Sequence, residues 1–172
     1  MTANRIPAIT AVFGLLFLLQ EVLINRIPFF VGGFSLYLAF FIAWVMQEER
    51  NSAIVTGFIA GFIADLSPTL EAPVGLWTLV LTFMSYVLAT NVRSALDSDP
   101  SPVTMSLVAV IGSAVCMTLF LLLGAILGQE VGAIGYVIRE LLGNSTWSFL
   151  LSPLYVPLAV KLYRASLTAR NR

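Results

Sequence analysis

The feature that most constrains this chain is the length of its uninterrupted apolar stretches. Residues 27–47, 72–92, 103–129 and 141–160 form runs of 21, 21, 27 and 20 residues without one charged side chain. A bilayer hydrocarbon core about 30 Å thick is crossed by roughly 20 helical residues, so each run is long enough to span one. Nine basic and nine acidic residues among 172, against 59% hydrophobic, leave too few charges for the surface of a soluble enzyme.

Charges and turn residues divide the chain into six expected spans, about 6–24, 29–46, 52–66, 73–92, 103–128 and 145–163, within a single integral-membrane domain 1–172. The expected fold class is an all-α membrane protein of six transmembrane helices. The third span is short, with 14 uncharged residues between Arg50 and Asp65, so it must bury Asp65 or be broken. Pro68 and Pro73 bracket a polar link containing Glu71, which predicts a tight hairpin between the third and fourth spans. Residues 130–143, with Glu130, Arg139 and Glu140, are too charged to span and read as an interfacial or re-entrant segment. Pro153 and Pro157 should kink the last span.

Lys and Arg in short loops set orientation, because cationic segments resist translocation. With the N-terminus inside, Arg5, Arg50, Arg93, Lys161, Arg164, Arg170 and Arg172 are cytoplasmic and only Arg26 and Arg139 are outside. The count of seven against two places both termini of this multi-pass chain in the cytoplasm. No small-residue cleavage site follows Leu23, and Glu21 interrupts the first apolar run, so that run is read as a retained helix rather than a signal peptide.

Few residues offer chemistry. The chain has no histidine and one cysteine, Cys116, which excludes a disulfide framework and the common zinc sites. No metal, cofactor or nucleic-acid partner is expected, and neither a phosphate-binding loop nor a Ser-His arrangement occurs. Asp65 closes GFIAGFIADL, where Gly57, Gly61 and Asp65 recur every four residues and so share one helix face. A face so bare lets another backbone approach closely. Asp65 is then either an ion or substrate carboxylate, or a cap on the neighbouring hairpin that accepts amide hydrogen bonds near Thr69. A carboxylate protease would need two acids sharing a proton, and Glu21 is the only other acid inside an apolar span.

Gly124, Gly128 and Gly132 form a second four-residue row at the end of the fifth span, for helix packing or flexibility. Gln20 and Glu21 either face a polar cavity or reach the headgroups. Arg139 and Glu140 are expected on a solvated face. Asn144-Ser145-Thr146 matches a glycosylation sequon, a pattern that three residues often meet by chance. The Trp and Tyr residues, mostly near span ends, read as interfacial anchors.

The stretch 57–89 resembles the MreD family of bacterial rod-shape-determining membrane proteins. Gly57, Gly61, Asp65, Leu66 and Gly75 occupy that family's Gly-spaced helix ending in Asp-Leu, its polar link, and the Gly that opens the next helix. Leu18-Leu19-Gln20 ending the first span, and a Pro-containing last span running into a basic tail, extend the resemblance over nearly the whole chain. It implies a non-enzymatic subunit of the cell-elongation machinery in the bacterial inner membrane. Its implied partner is an MreC-like single-pass protein, coupled indirectly to MreB, RodA and a penicillin-binding protein in peptidoglycan synthesis. Gly57, Gly61, Asp65, Gly75, Gly124, Gly128 and Gly132 are then helix-packing or partner-contact candidates, with a homodimer left open. The family is also similar in fold to the substrate-binding subunits of energy-coupling-factor vitamin transporters, so such a binding subunit is the alternative function. Against it, Ala8, Ala11 and Gly14 make only a weak match to those subunits' Ala-rich first helix.

Overall fold

The computed structural model describes residues 5–30, 32–67, 72–92, 101–129 and 132–168. Among these residues there are seven α-helices and no strand: α1 (Arg5–Val22), α2 (Leu36–Val45), α3 (Arg50–Asp65), α4 (Leu76–Val87), α5 (Pro102–Ile126), α6 (Ile134–Leu150) and α7 (Ser152–Thr168). A 3-10 turn, Ile24–Arg26, extends α1, and a π-helical segment, Leu88–Val92, extends α4. Two helical stretches are both long and apolar enough to cross a membrane, Arg5–Arg26 and Pro102–Ile126.

The core is built around α2. Residues 37–45 are all buried, as a helix without a polar face must be, and α1, α3, α5 and α7 pack around it. Phe13 of α1 meets the rings of Tyr37, Phe40, Phe41 and Trp44 edge-on, with centroids 5.8–6.3 Å apart. Such edge-to-face pairs set the rings in a fixed register that aliphatic contacts would not impose. Trp44, Tyr37 and Tyr155 are therefore core residues, at 0%, 4% and 2% exposure, not interfacial anchors. Trp77 stacks on Phe120, at 4.2 Å between centroids, and Trp147 tilts onto Phe29 at 5.1 Å.

Three expectations are corrected. The second span, expected over 29–46, is helical only from Leu36. Pro28 lacks an amide hydrogen and Gly32-Gly33 is a poor helix former; Ser35 then starts the helix, its side chain accepting from the Leu38 amide at 3.3 Å. The expected last span, 145–163, coincides with no single helix. The chain turns at Leu151, so that most of the expected interfacial segment joins α6 while α7 is separate. Pro153 cannot donate to the Phe149 carbonyl one turn back, and the Ser152 hydroxyl donates to it instead at 2.7 Å.

The row Gly124, Gly128 and Gly132 is not one helix face, because α5 ends at Ile126. Gly128 lies beyond that end with φ +85°, its amide donating to Ala125 O at 3.1 Å while the Gln129 amide donates to Gly124 O at 2.9 Å. That pair of bonds is a Schellman cap, which needs a left-handed residue and hence glycine.

Side-chain contacts fix the relative direction of the helices. Arg5, the turn after α2 and the later part of α7 meet at one end of the bundle, where Arg5 bonds Glu48 and lies over the Tyr163 ring. The ends of α1 and α3 meet at the other, where Ser67 bonds Glu21.

Candidate functional site

The polar side chains of so apolar a chain mark where to look, and they gather in three places. The first is the hairpin of α3 and α4. The Asp65 carboxylate, 5% exposed, accepts from the Trp77 and Thr78 amides, each at 2.9 Å, and from the Thr78 hydroxyl at 2.5 Å. Asp65 thus ends α3 and caps α4 together, saturating amides at a helix start that would otherwise lack partners. The expected capping partner near Thr69 lies outside the described residues; the amides used are those of Trp77 and Thr78.

Gly61 and Gly57, one and two turns back, face the same neighbour. A Cβ on Gly61 would lie 2.7 Å from Trp77 O and 2.8 Å from Thr78 N, and one on Gly57 2.6 Å from Leu81 O. Backbone meets backbone along this seam. Gly75 sits at the N-cap of α4 with φ +102°, at the point where the chain enters that helix. The four residues Gly57, Gly61, Asp65 and Gly75 are therefore brought together, as parts of a single hairpin. Gly124 is remote from them in role: its Cβ position falls against the Gln129 side chain. Gly128 and Gly132 have at most a distant neighbour in the Tyr136 ring.

The second cluster holds the irregular stretch before α2. The Gln20 amide nitrogen donates to Asn25 Oδ1 at 2.7 Å and Phe34 O at 3.0 Å, and its oxygen accepts from the Tyr37 amide at 3.3 Å. Glu140 accepts from the Gly33 amide at 2.7 Å, and Asn144 from the Ser35 amide at 2.8 Å while donating to Ser113 Oγ at 3.2 Å. Non-helical backbone inside an apolar body must find such partners. Glu140 is half-buried and engaged by the loop, whereas its neighbour Arg139 is exposed as expected; Asn144, at 1% exposure, is a buried bracket that no glycosylating enzyme could reach. Sequence reasoning missed this pair; their signal is the i, i+4 spacing of two polar residues on one apolar helix, opposite an adjacent Gly-Gly. A Cβ on Gly32 would lie 2.5 Å from Arg139 O, so α6 rests directly on this loop. Glu21 is engaged at the bundle's end: it accepts from Ser67 at 2.9 Å and Asn25 at 3.3 Å.

The third cluster is at the opposite end. Glu48, with 0% of its side chain exposed, accepts from the Arg5 guanidinium at 2.8 Å and the Trp44 indole at 3.2 Å. Burial pushes its carboxyl above the ordinary carboxylate range, opposed by the Thr56 hydroxyl, the Arg5 charge and the Trp44 indole. The network ties α1, α2 and α7 together.

All three clusters join parts of this chain to one another, and the described residues gather no group of three His, Cys, Asp or Glu that could hold a metal ion. Residues 6–166 match the family described as rod shape-determining protein MreD. The chain belongs to the MreD family. Comparison with curated proteins and with solved structures gave no match. The MreD match covers the hairpin, the loop brackets and nearly all of α7, so the three clusters, apart from Arg5, belong to the matched region.

Proposed function

We propose that this MreD-family chain is a non-enzymatic scaffold of the bacterial rod-shape complex, crossing the inner membrane six times with both ends cytoplasmic. The observation that carries the reading is the state of Asp65. The carboxylate that stood out as a candidate for transport or catalysis has its oxygens engaged by three donors of α4. A group so used holds a shape. The proposed role is to position an MreC-like single-pass protein, and through it the peptidoglycan-synthesising machinery.

The contact we propose for that partner is the rim formed by the loop before α2 and the first turns of α6. Phe30 is 92% exposed there, while the flanking loop is held by Gln20, Glu140 and Asn144. Ile134 and Tyr136 of α6 are 78% and 63% exposed. An exposed aromatic beside other exposed apolar groups offers a partner the kind of surface that carries binding energy. Coexpression with the neighbouring MreC-like protein should yield a detergent-stable complex, and Phe30→Ser with Tyr136→Ser should weaken it without lowering the level of this chain. Failure of the wild-type pair to copurify, with a vitamin recovered from this chain alone, would replace this reading by the transporter subunit.

A further inference from the structure

The outward side of the α3–α4 hairpin is an open groove of about 640 Å³, lined along its length by Phe58, Phe62, Leu79 and Phe83, with Val74 and Tyr86 also in its lining. The two threonine hydroxyls along its wall already donate elsewhere, Thr78 to Asp65 and Thr82 to Thr78 O, which leaves the Tyr86 hydroxyl at its end. A polar ligand would therefore find no free threonine donor along the wall. At the Tyr86 end the character changes, because the exposed Arg50 guanidinium lies over the Tyr86 ring, 4.7 Å from its centroid. The one ion pair among the described residues joins Arg5 to Glu48, so no carboxylate neutralises Arg50 in this set. From Gly75 to Tyr86 the groove is about 16 Å long at 1.5 Å per residue, which is about half of a hydrocarbon core roughly 30 Å thick.

We propose that this groove binds one anionic phospholipid, an acyl chain lying along Phe58, Phe62, Leu79 and Phe83 and the phosphate on Arg50. The occupant follows from the two-part chemistry: an apolar channel one leaflet deep, ending in one cation that the Tyr86 ring holds in place. A helix from a partner protein would fit the apolar length but leave the charge at its end unmatched. The site rests on the membrane reading, and the leaflet follows from the topology, with Arg50 on the cytoplasmic side.

The test is lipid titration of the delipidated full chain in mild detergent, followed by native mass spectrometry, with phosphatidylglycerol and phosphatidylethanolamine as probes. Phosphatidylglycerol should bind about fivefold more tightly, the factor that one basic side chain near an anionic surface supplies. Arg50→Gln should abolish that preference, Arg50→Lys should restore most of it, and Thr82→Trp, which fills the groove, should weaken both lipids. An unchanged thermal transition for the two Arg50 variants shows that the fold is intact. Equal binding of the two lipids by the wild type, or an undiminished preference in Arg50→Gln, overturns the site. So does cross-linking of Leu79 and Phe83 to an MreC-like helix, which would make the groove a protein contact. None of these readings depends on which membrane face is cytoplasmic, so a failed topology and a failed lipid site are told apart.

Discussion

Asp65→Asn retains one carbonyl acceptor and the side-chain shape, whereas Asp65→Leu leaves the Trp77 and Thr78 amides unpaired. Asn should be mild and Leu should lower stability by about 1–3 kcal/mol, the cost of stranded buried donors, read as a drop in the detergent melting temperature and in complementation. Equal, complete loss of function in both variants at normal protein levels would instead point to a charge-dependent role. Glu48 makes a complementary case at the other end. Arg5→Leu strands its buried carboxylate, and breaking a pair of this kind costs about 3–5 kcal/mol. Burial already raises the Glu48 pKa, and losing Arg5 removes both the charge and one of the hydrogen bonds that hold it down. The folded variant then binds a proton that the unfolded chain releases, so its stability is kept below the ordinary carboxylate range and lost as pH rises through the raised value. The melting deficit of Arg5→Leu should accordingly be larger at pH 8 than at pH 5.

At the scale of the element, the α3–α4 seam and α1 give opposite expectations for one substitution. Gly→Ala in a helix interior ordinarily stabilises by about 1 kcal/mol. Gly14 of α1 has nothing within 4 Å of its Cβ position, so Gly14→Ala should raise the melting temperature. Gly61→Ala should lower it by the equivalent of about 1–3 kcal/mol, because the new methyl meets the Trp77 and Thr78 backbone rather than a side chain that can turn away. A stable Gly61→Leu protein that still complements would mean that the seam is open to lipid. Gly128→Leu strains the cap of α5 whatever it touches, since its φ is +85°, and so cannot isolate a partner contact.

For the whole molecule, the first helix's start and the last helix meet at one end through Arg5 and Tyr163. The start of α1 and the later part of α7 therefore lie at the same end of the bundle. Alkaline phosphatase, active only outside, should be inactive when fused to residue 172; strong activity there would overturn the six-span proposal.

How much of this was legible in the sequence depends on the range of the interaction concerned. The apolar runs, the seam of Gly57 and Gly61, and a capping use for Asp65 follow from residues within a few turns of one another, where helical periodicity is a reliable guide. The same local reasoning failed where the periodicity was carried past a helix end, as at Gly128 and Gly132. What only the tertiary structure decided were pairings across the chain: Arg5 with Glu48, 43 residues on, and Gly33 and Ser35 with Glu140 and Asn144, more than 100 residues on. The i, i+4 spacing of Glu140 and Asn144 marks them as a pair, but no local pattern says which distant residue each side chain meets. Only the packing of α1, α2, α6 and α7 around irregular backbone shut away from water creates the demand for a hydrogen bond that the distant side chain fills.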